Sequence, residues 1–489
     1  LGYPYRIPKY DLLEQTELAR IQEASLSILN KAGVRAPHRR MLELAADHGA
    51  EVDRDRQIIR FPADLVLDSV SRAGKQHILY GMNRDNKAEF GYGMFNFNGS
   101  SGQFQICDAP GESRRKPTMA DLREAIRIGN RLETINIVGA MVVPSDVPPG
   151  VADVLTFREL LLGTSRPFTA WVFDGHTARI IVQMMQIAAG SAEQLEARPF
   201  YEVFIEPISP LSFREESIDI LFVFAEAGLP IGISPMVQAG ATGPCNLAAT
   251  VAQENAEVLA GIVLTQVVHS GHPVSYGGIA HIMDMKTGTI SFGSPEQALM
   301  AAALTQCGKA YGLPVYSNTG LSDSKAVDAQ YGAESAATLT LGALARSDIF
   351  GHLGICGADN AASLVQLLID DELAAYLARV LTGLDFQDLE AAAEEIIQGG
   401  AGANFLQSER TLTRFRKEFW FPGMFDRAGW EVWMSQGADT VVDRAVRRKQ
   451  QLLSEGTEVP GDEKLQQELD RLLASHGIDV YQNHMGGER

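Results

Sequence analysis

Cysteine is scarce in this 489-residue chain. The four that occur (Cys107, Cys245, Cys307 and Cys356) are scattered, with no two at CxxC spacing. That argues against a structural zinc site and a disulfide framework, and it suits a reducing cytoplasm. No run of about 18 uninterrupted apolar residues occurs, so no membrane span is expected. The opening stretch LGYPYRIPKYDLLEQ lacks the order of a secretory signal, which again makes a cytoplasmic location the expectation. Basic clusters are missing too, and the formal net charge is -19. Both argue against a nucleic-acid surface. RRKQQ (447–451) comes nearest, on a stretch of mixed charge that reads as a solvated helix face.

Several chemical signatures are also absent. Neither GxGxxG nor GxxxxGK[ST] is present, which disfavours nucleotide binding. No GxSxG elbow marks a nucleophile, and no HExxH-type spacing marks a metal, so no metal is expected. Glu206, in FIEPISP, has no partner carboxylate in sequence, so a two-carboxylate glycosidase is poorly supported.

What is present is alternation. The first hundred residues are helix-rich, as in DLLEQTELARIQEASLSILNKAG, and read as a packed N-terminal extension (1–100). From residue 119, apolar strands alternate with amphipathic helices. Strands are expected at 136–144, 167–174, 200–207, 230–236, 273–280, 314–320 and 349–356. Helices are expected at 176–189, 214–228, 246–270, 295–311, 328–347 and 363–382. GQFQICD (102–108) or MFNFNG (94–99) supplies an eighth strand. Such alternation favours a parallel sheet, and about eight units favour a (β/α)8 TIM barrel over an open sheet. The expected division is a barrel over 101–383 and a helical C-terminal extension over 384–489. Aromatic residues of that extension, from Phe415 to Trp433, are expected to pack on the barrel, with a lesser expectation of a protein interface.

Barrel sites form where strands end. That rule nominates Phe173 and Asp174, Phe204 and Glu206, Gln238, Tyr276 and His281, Asn318, Leu321 and Asp323, and His352 and Cys356. Aromatics with one carboxylate and one imidazole suit a cation better than a metal, because ring faces attract cations. The bland readings stand beside these. The rings can fill core layers, and Asp323 or Asp328 can cap the helix that follows. Lys325 reads as a solvated turn lysine before it reads as a Schiff-base amine.

VQAGATGPCNLAATVAQENAEVLAGIVLTQ (237–266), DMKTG (284–288), GSPEQAL (293–299), SDSKAVDAQYGAE (322–334) and FDRAGWEVWMSQGADTVVDRA (425–445) resemble the trimethylamine methyltransferase family over most of the chain. The resemblance implies a TIM barrel that passes a methyl group from a methylated amine to cobalt(I) of a separate corrinoid protein. Archaeal trimethylamine enzymes of the family carry pyrrolysine immediately before the SD of the motif. Here Leu321 takes that place, which points to the non-pyrrolysine branch and its quaternary-amine methyltransferases, glycine betaine first among the substrates. The resemblance implies no cofactor bound directly, with the corrinoid brought by a partner. DGHTAR (174–179) imitates the start of a corrinoid signature but has Arg179 where glycine belongs. Within this reading Phe97, Phe173, Phe204 and Tyr276 are expected to cage the ammonium, with Glu206 adding negative charge. His352 and backbone N–H groups near Leu321 are expected to hold a substrate carboxylate, while Asp323 belongs to the active-site loop. A Schiff-base lyase built on Lys325, a non-catalytic betaine-binding protein and a homo-oligomer remain open.

Overall fold

A computed structural model describes residues 9–456 and 462–479, together with Tyr3, Pro4 and Val459. Eight short strands run parallel: β1 (Met94–Gly99), β2 (Val138–Gly139), β3 (Phe168–Thr169), β4 (Val203–Ile205), β5 (Ile231–Ile233), β6 (Val274–Gly278), β7 (Val315–Ser317) and β8 (Ile349–Leu353). Six of them form one curled sheet in the order β1–β8–β7–β6–β5–β4. The remaining two, β2 and β3, pair with each other. A parallel bridge ties them to the curl at Asn98–Ile137, and the Phe168 N–H donates to the Phe200 carbonyl at 3.4 Å on the other side. MFNFNG, not GQFQICD, is the additional strand.

The expected helices fall within a residue or two of their observed bounds, at Gly175–Ala189, Glu215–Glu226, Leu247–Val268, Pro295–Ala310, Ala329–Ala345 and Leu364–Leu381. Caps explain the agreement. The side chains of Asp174, Asn246, Ser294, Asp328 and Ser363 accept first-turn N–H groups. DGHTAR is thus a helix start, with Asp174 accepting from the His176 and Thr177 N–H groups at 2.8 Å. Leu247–Val268 is long and apolar enough to cross a membrane, yet 83% of its apolar window is buried inside the protein. It is a core helix, covered in turn by helices Gln15–Lys31 and Ala63–Arg72.

Two apolar layers result. The larger lies between the sheet and its helices. The smaller fills the inside of the curl with Ile137, Ile279, Tyr316 and Ile349, against which Phe204 and Met236 pack. Leu79 and Phe90, from the hairpin His77–Tyr80/Lys87–Phe90, belong to this inner cluster. Near the far end of the chain, Val441–Ser454 packs on Met119–Gly129 and Leu364–Leu381, and Glu463–Ser475 packs on Ala152–Gly163 and Gly175–Ala189.

Asp348 fastens β7 to β8. Its buried carboxylate accepts from the Val315 N–H at 2.7 Å and pairs with Lys309, while its carbonyl accepts from the Asn96 N–H of β1 at 2.7 Å. Asp348→Ala strands a lysine and a strand N–H together. It should lower stability by about 3 kcal/mol in urea titration, whereas removing the exposed Arg39–Glu43 pair should leave the midpoint unmoved.

Candidate active site

Four rings meet at the C-terminal strand ends. Phe204 and Tyr316 lie 4.8 Å apart, Tyr316 stands edge-on to His352 at 6.2 Å, and Trp171 stacks on His352 at 5.8 Å. Local backbone makes this possible. A Cβ on Gly351 would stand 1.6 Å from the Tyr316 hydroxyl oxygen, so only glycine lets that ring lie across β8. The register of β8 against β1 shifts between Phe350 and Leu353, and His352 there has φ +62°. A bulge of this kind re-aims a side chain. The Trp171 Nε1–H donates to the Gly102 carbonyl at 2.8 Å, which fixes the indole plane.

Charge at these strand ends is one-sided. Glu206 keeps some contact with solvent, yet burial, reinforced by the charge of Asp359 and opposed by Arg214, pushes its carboxyl up to about 7. Asp359 is pushed up to about 6 by burial, against the Gln103 Nε2–H that donates to its Oδ1 at 2.6 Å. Burial lowers His352 to about 4 and His281 to about 3, so both imidazoles are neutral at neutral pH. Ser234 Oγ, Asn318 Oδ1 and His352 Nδ1 are buried without a hydrogen-bond partner. Buried polar atoms are normally paired, so these three, at the ends of β5, β7 and β8, are free to meet a ligand. Two reluctant carboxylates beside aromatic faces favour a cation.

The sequence-nominated residues divide. Phe204, Glu206 and His352 belong to this cluster. Phe97 does not: it is buried on the helix side of β1, stacked on Phe350 at 5.2 Å. Tyr276 does not either, since its hydroxyl donates to Asn255 of the core helix at 2.9 Å. Strand parity corrects both expectations. Successive side chains take opposite faces, and in β1 and β6 the aromatics fall on the outer one. Phe173 is half-buried just beyond β3, its N–H held by Asp153 at 3.0 Å.

The acidic turn after β7 builds structure. Asp323 accepts from the Ser291 hydroxyl and from the Phe292 N–H at 2.7 Å, which pins the turn to the hairpin His281–Asp284/Thr289–Ser291. Glu334 accepts from the Ser322 hydroxyl at 2.7 Å and the Asp323 N–H at 2.9 Å. Asp328 caps the next helix through the Tyr331 N–H at 3.0 Å. The product is a fixed loop with Leu321 buried at its start. Lys325 is exposed, its ammonium on the Asp323 carbonyl at 2.7 Å. A Schiff-base lysine needs a desolvated amine, which this is not.

Sequence reasoning missed Tyr316, Asp359 and Gln103, and it passed over Trp171. Tyr316 lies in PVYSNTG, one residue before the end of β7, and the strand-end rule could have found it. Asp359 and Gln103 lie in loops whose path no local pattern announces. The same loops bring Cys107 and Cys356 together, Sγ to Sγ 3.3 Å, both as free thiols. Gly351→Ala must displace Tyr316. It should cost about 1–3 kcal/mol by overpacking, and Tyr316→Leu in the same chain should restore part of the loss in thermal melts.

Comparison with known proteins adds to this geometry. The family model described as trimethylamine methyltransferase (MTTB) matches residues 3–477. A glycine betaine methyltransferase of Desulfitobacterium hafniense (strain Y51) is 30% identical over 97% of this chain and 98% of its own length. A trimethylamine methyltransferase MttB from strain DCB-2 of that species is 29% identical over 92% and 90%, and the MttB of Methanosarcina thermophila is 26% identical over 88% and 89%. A crystal structure of the hydroxylamine MtmB complex superposes with a TM-score of 0.52 at 13% identity, covering 91% of this chain and 89% of that one, which is a likeness of fold.

Proposed function

The chain belongs to the trimethylamine methyltransferase family and is a methyltransferase, and from that premise we propose that its donor is a quaternary amine, glycine betaine first, and its acceptor the cobalt(I) of a corrinoid carried by a separate protein. We also infer that the curl closes as a (β/α)8 barrel, because the β2–β3 pair bridges β1 on one side and reaches the start of β4 on the other. The helical segments at the two ends of the chain are then outer coverings.

The observation that carries this reading is the grouping of Trp171, Phe204 and Tyr316 with two carboxyls whose ionisation is resisted. Each ring face over an ammonium contributes about 0.5–2 kcal/mol when water is excluded. Glu206 and Asp359 supply the countercharge. Neutral His352, whose buried Nδ1 lacks a partner, can donate an N–H to the carboxylate of a betaine without adding like charge beside the ammonium.

The corrinoid, a co-substrate, supplies the nucleophile. Phe104, Ile208 and Met285, exposed in the loops that follow β1, β4 and β6, give the rim an apolar face for it or its carrier. The pocket's own residues hold the ammonium, align one methyl outward and exclude water. When that methyl leaves, the C–N electron pair stays on nitrogen, which departs as a neutral tertiary amine. No proton has to be supplied. Leu321, apolar and buried where the relatives' unusual residue would stand, fits a reaction that needs no covalent activation of the amine. Trimethylamine is mostly protonated near neutral pH and lacks this built-in leaving group.

Mixing the protein with glycine betaine and cob(I)alamin should consume cobalt(I) and release dimethylglycine, while trimethylamine gives little turnover. Absence of reaction with every quaternary amine, under conditions that keep cobalt(I) reduced, would refute the proposal.

Titration gives an independent check. A cationic ligand favours ionised carboxyls, and those with raised pKa are neutral at low pH. Calorimetric affinity for betaine should therefore rise from pH 6 to pH 8, through the window set by values of about 6 and about 7. Glu206→Gln should flatten much of that rise and weaken binding about tenfold, or ~1.4 kcal/mol, at pH 8.

A further inference from the structure

We propose that residues 384–434 form an arm that packs against a second copy of this chain. Among the described residues, more than half of the exposed large apolar side chains fall in this short segment, including Leu384, Ile397, Leu406, Leu412, Phe419 and Trp430. Ile397 is 71% exposed, Leu412 73% and Phe419 61%. The helices Leu389–Gly399, Glu409–Glu418 and Trp430–Ser435 contain no buried residue at all.

Their charged groups are turned toward one another. Arg410 pairs with Asp388 and Glu395, Arg414 with Asp385, Asp388 and Glu418, and Lys417 with Asp385. The ion pairs thus hold the two longer helices together while apolar side chains are left in water. Isolated helices this short are not stable in water without a packed face, and exposed ion pairs add little. The missing core has to come from outside the protomer.

Area and permanence point to a second copy. About a dozen large side chains, each more than a third exposed, present on the order of 1,000 Å² of apolar surface. Summed, that reaches the ~800 Å² per partner of a stable interface. A carrier that docks and departs in every catalytic cycle would leave the arm uncovered between visits. An identical chain is present at all times and brings the same surface, as a two-fold interface requires. Obligate homodimer interfaces are the apolar class.

Light scattering on the full chain after size exclusion, at micromolar concentration and with no other protein present, should give at least twice the chain's mass of 53.1 kDa. Ile397→Glu with Leu412→Glu should bring it to the single-chain mass with the far-UV circular dichroism of the remainder kept. If that variant fails to fold, hydrogen exchange on the unaltered chain decides. Backbone amides of 389–418 should be protected at high concentration and lose protection on dilution. An unaltered chain that runs as a monomer overturns the proposal, even if it then binds a corrinoid carrier. So does an oligomer whose mass survives the double substitution, or whose arm exchanges at the same rate at every concentration.

Discussion

A carboxylate taken out of water must find a donor, a cation or a proton, and this constraint sorts the acids of the protein into two groups. Asp153, Glu254, Glu257 and Asp370 are buried and Asp371 is half-buried, and each accepts loop or strand-end N–H groups. Asp371 holds the Thr134 and Ile135 N–H groups at 2.9 and 2.8 Å, and Glu254 holds that of Ile279 at 2.7 Å. Asp370 takes the Gly354 N–H at 2.7 Å and the Tyr331 hydroxyl at 2.6 Å. These carboxylates replace water for backbone that turns between strands and helices, and so decide where the loops at the strand ends run. Glu206 is different. Among the described residues the groups that act on it are Asp359 and Arg214, through charge alone, and no hydrogen bond. It keeps contact with solvent instead, so its oxygens stay open to a ligand.

The rings obey the same economy of position. Tyr316 reaches its place because Gly351 has no side chain, and the bulge beside Gly351 turns His352 toward Trp171. Binding a cation by ring faces and distant carboxylates, without a close ion pair, holds the ammonium while leaving its methyl groups unobstructed. For the proposed transfer that matters, since the nucleophile must approach a methyl carbon from outside, opposite the C–N bond. A carboxylate in direct contact would occupy the approach or lower the charge that makes the amine a leaving group.

Elements were legible in the sequence where local chemistry and burial agree. Helix starts at Asp174, Asn246, Ser294, Asp328 and Ser363 were readable because cap and apolar period coincide there. Strands were readable as apolar runs after Gly or Pro, although the paired cores are much shorter than the runs, β2 being Val138–Gly139 within 136–144. Parity was not legible. A strand buried on both faces carries apolar residues on each, so nothing in MFNFNG or PVSYGGIA says which ring points inward. Phe97 and Tyr276 were assigned to the wrong face for that reason. Asp359 was hidden for another. It lies in a loop where Gly357, Ala358 and Asp359 all have positive φ, a path set by tertiary contacts and not by turn propensity.

The motif that carried the resemblance is the clearest case of residues that serve geometry. In SDSKAVDAQYGAE, Ser322, Asp323, Asp328 and Glu334 form a closed set of hydrogen bonds that joins the turn to the neighbouring hairpin and to its own helix. None of these groups has to touch a substrate to be needed, because together they hold position 321 at the end of β7. A relative that requires a reactive side chain there and a relative that requires only an apolar wall can therefore share the whole loop. Under the proposed function, the turn specifies a place, and the residue set in that place specifies which amine the reaction can use.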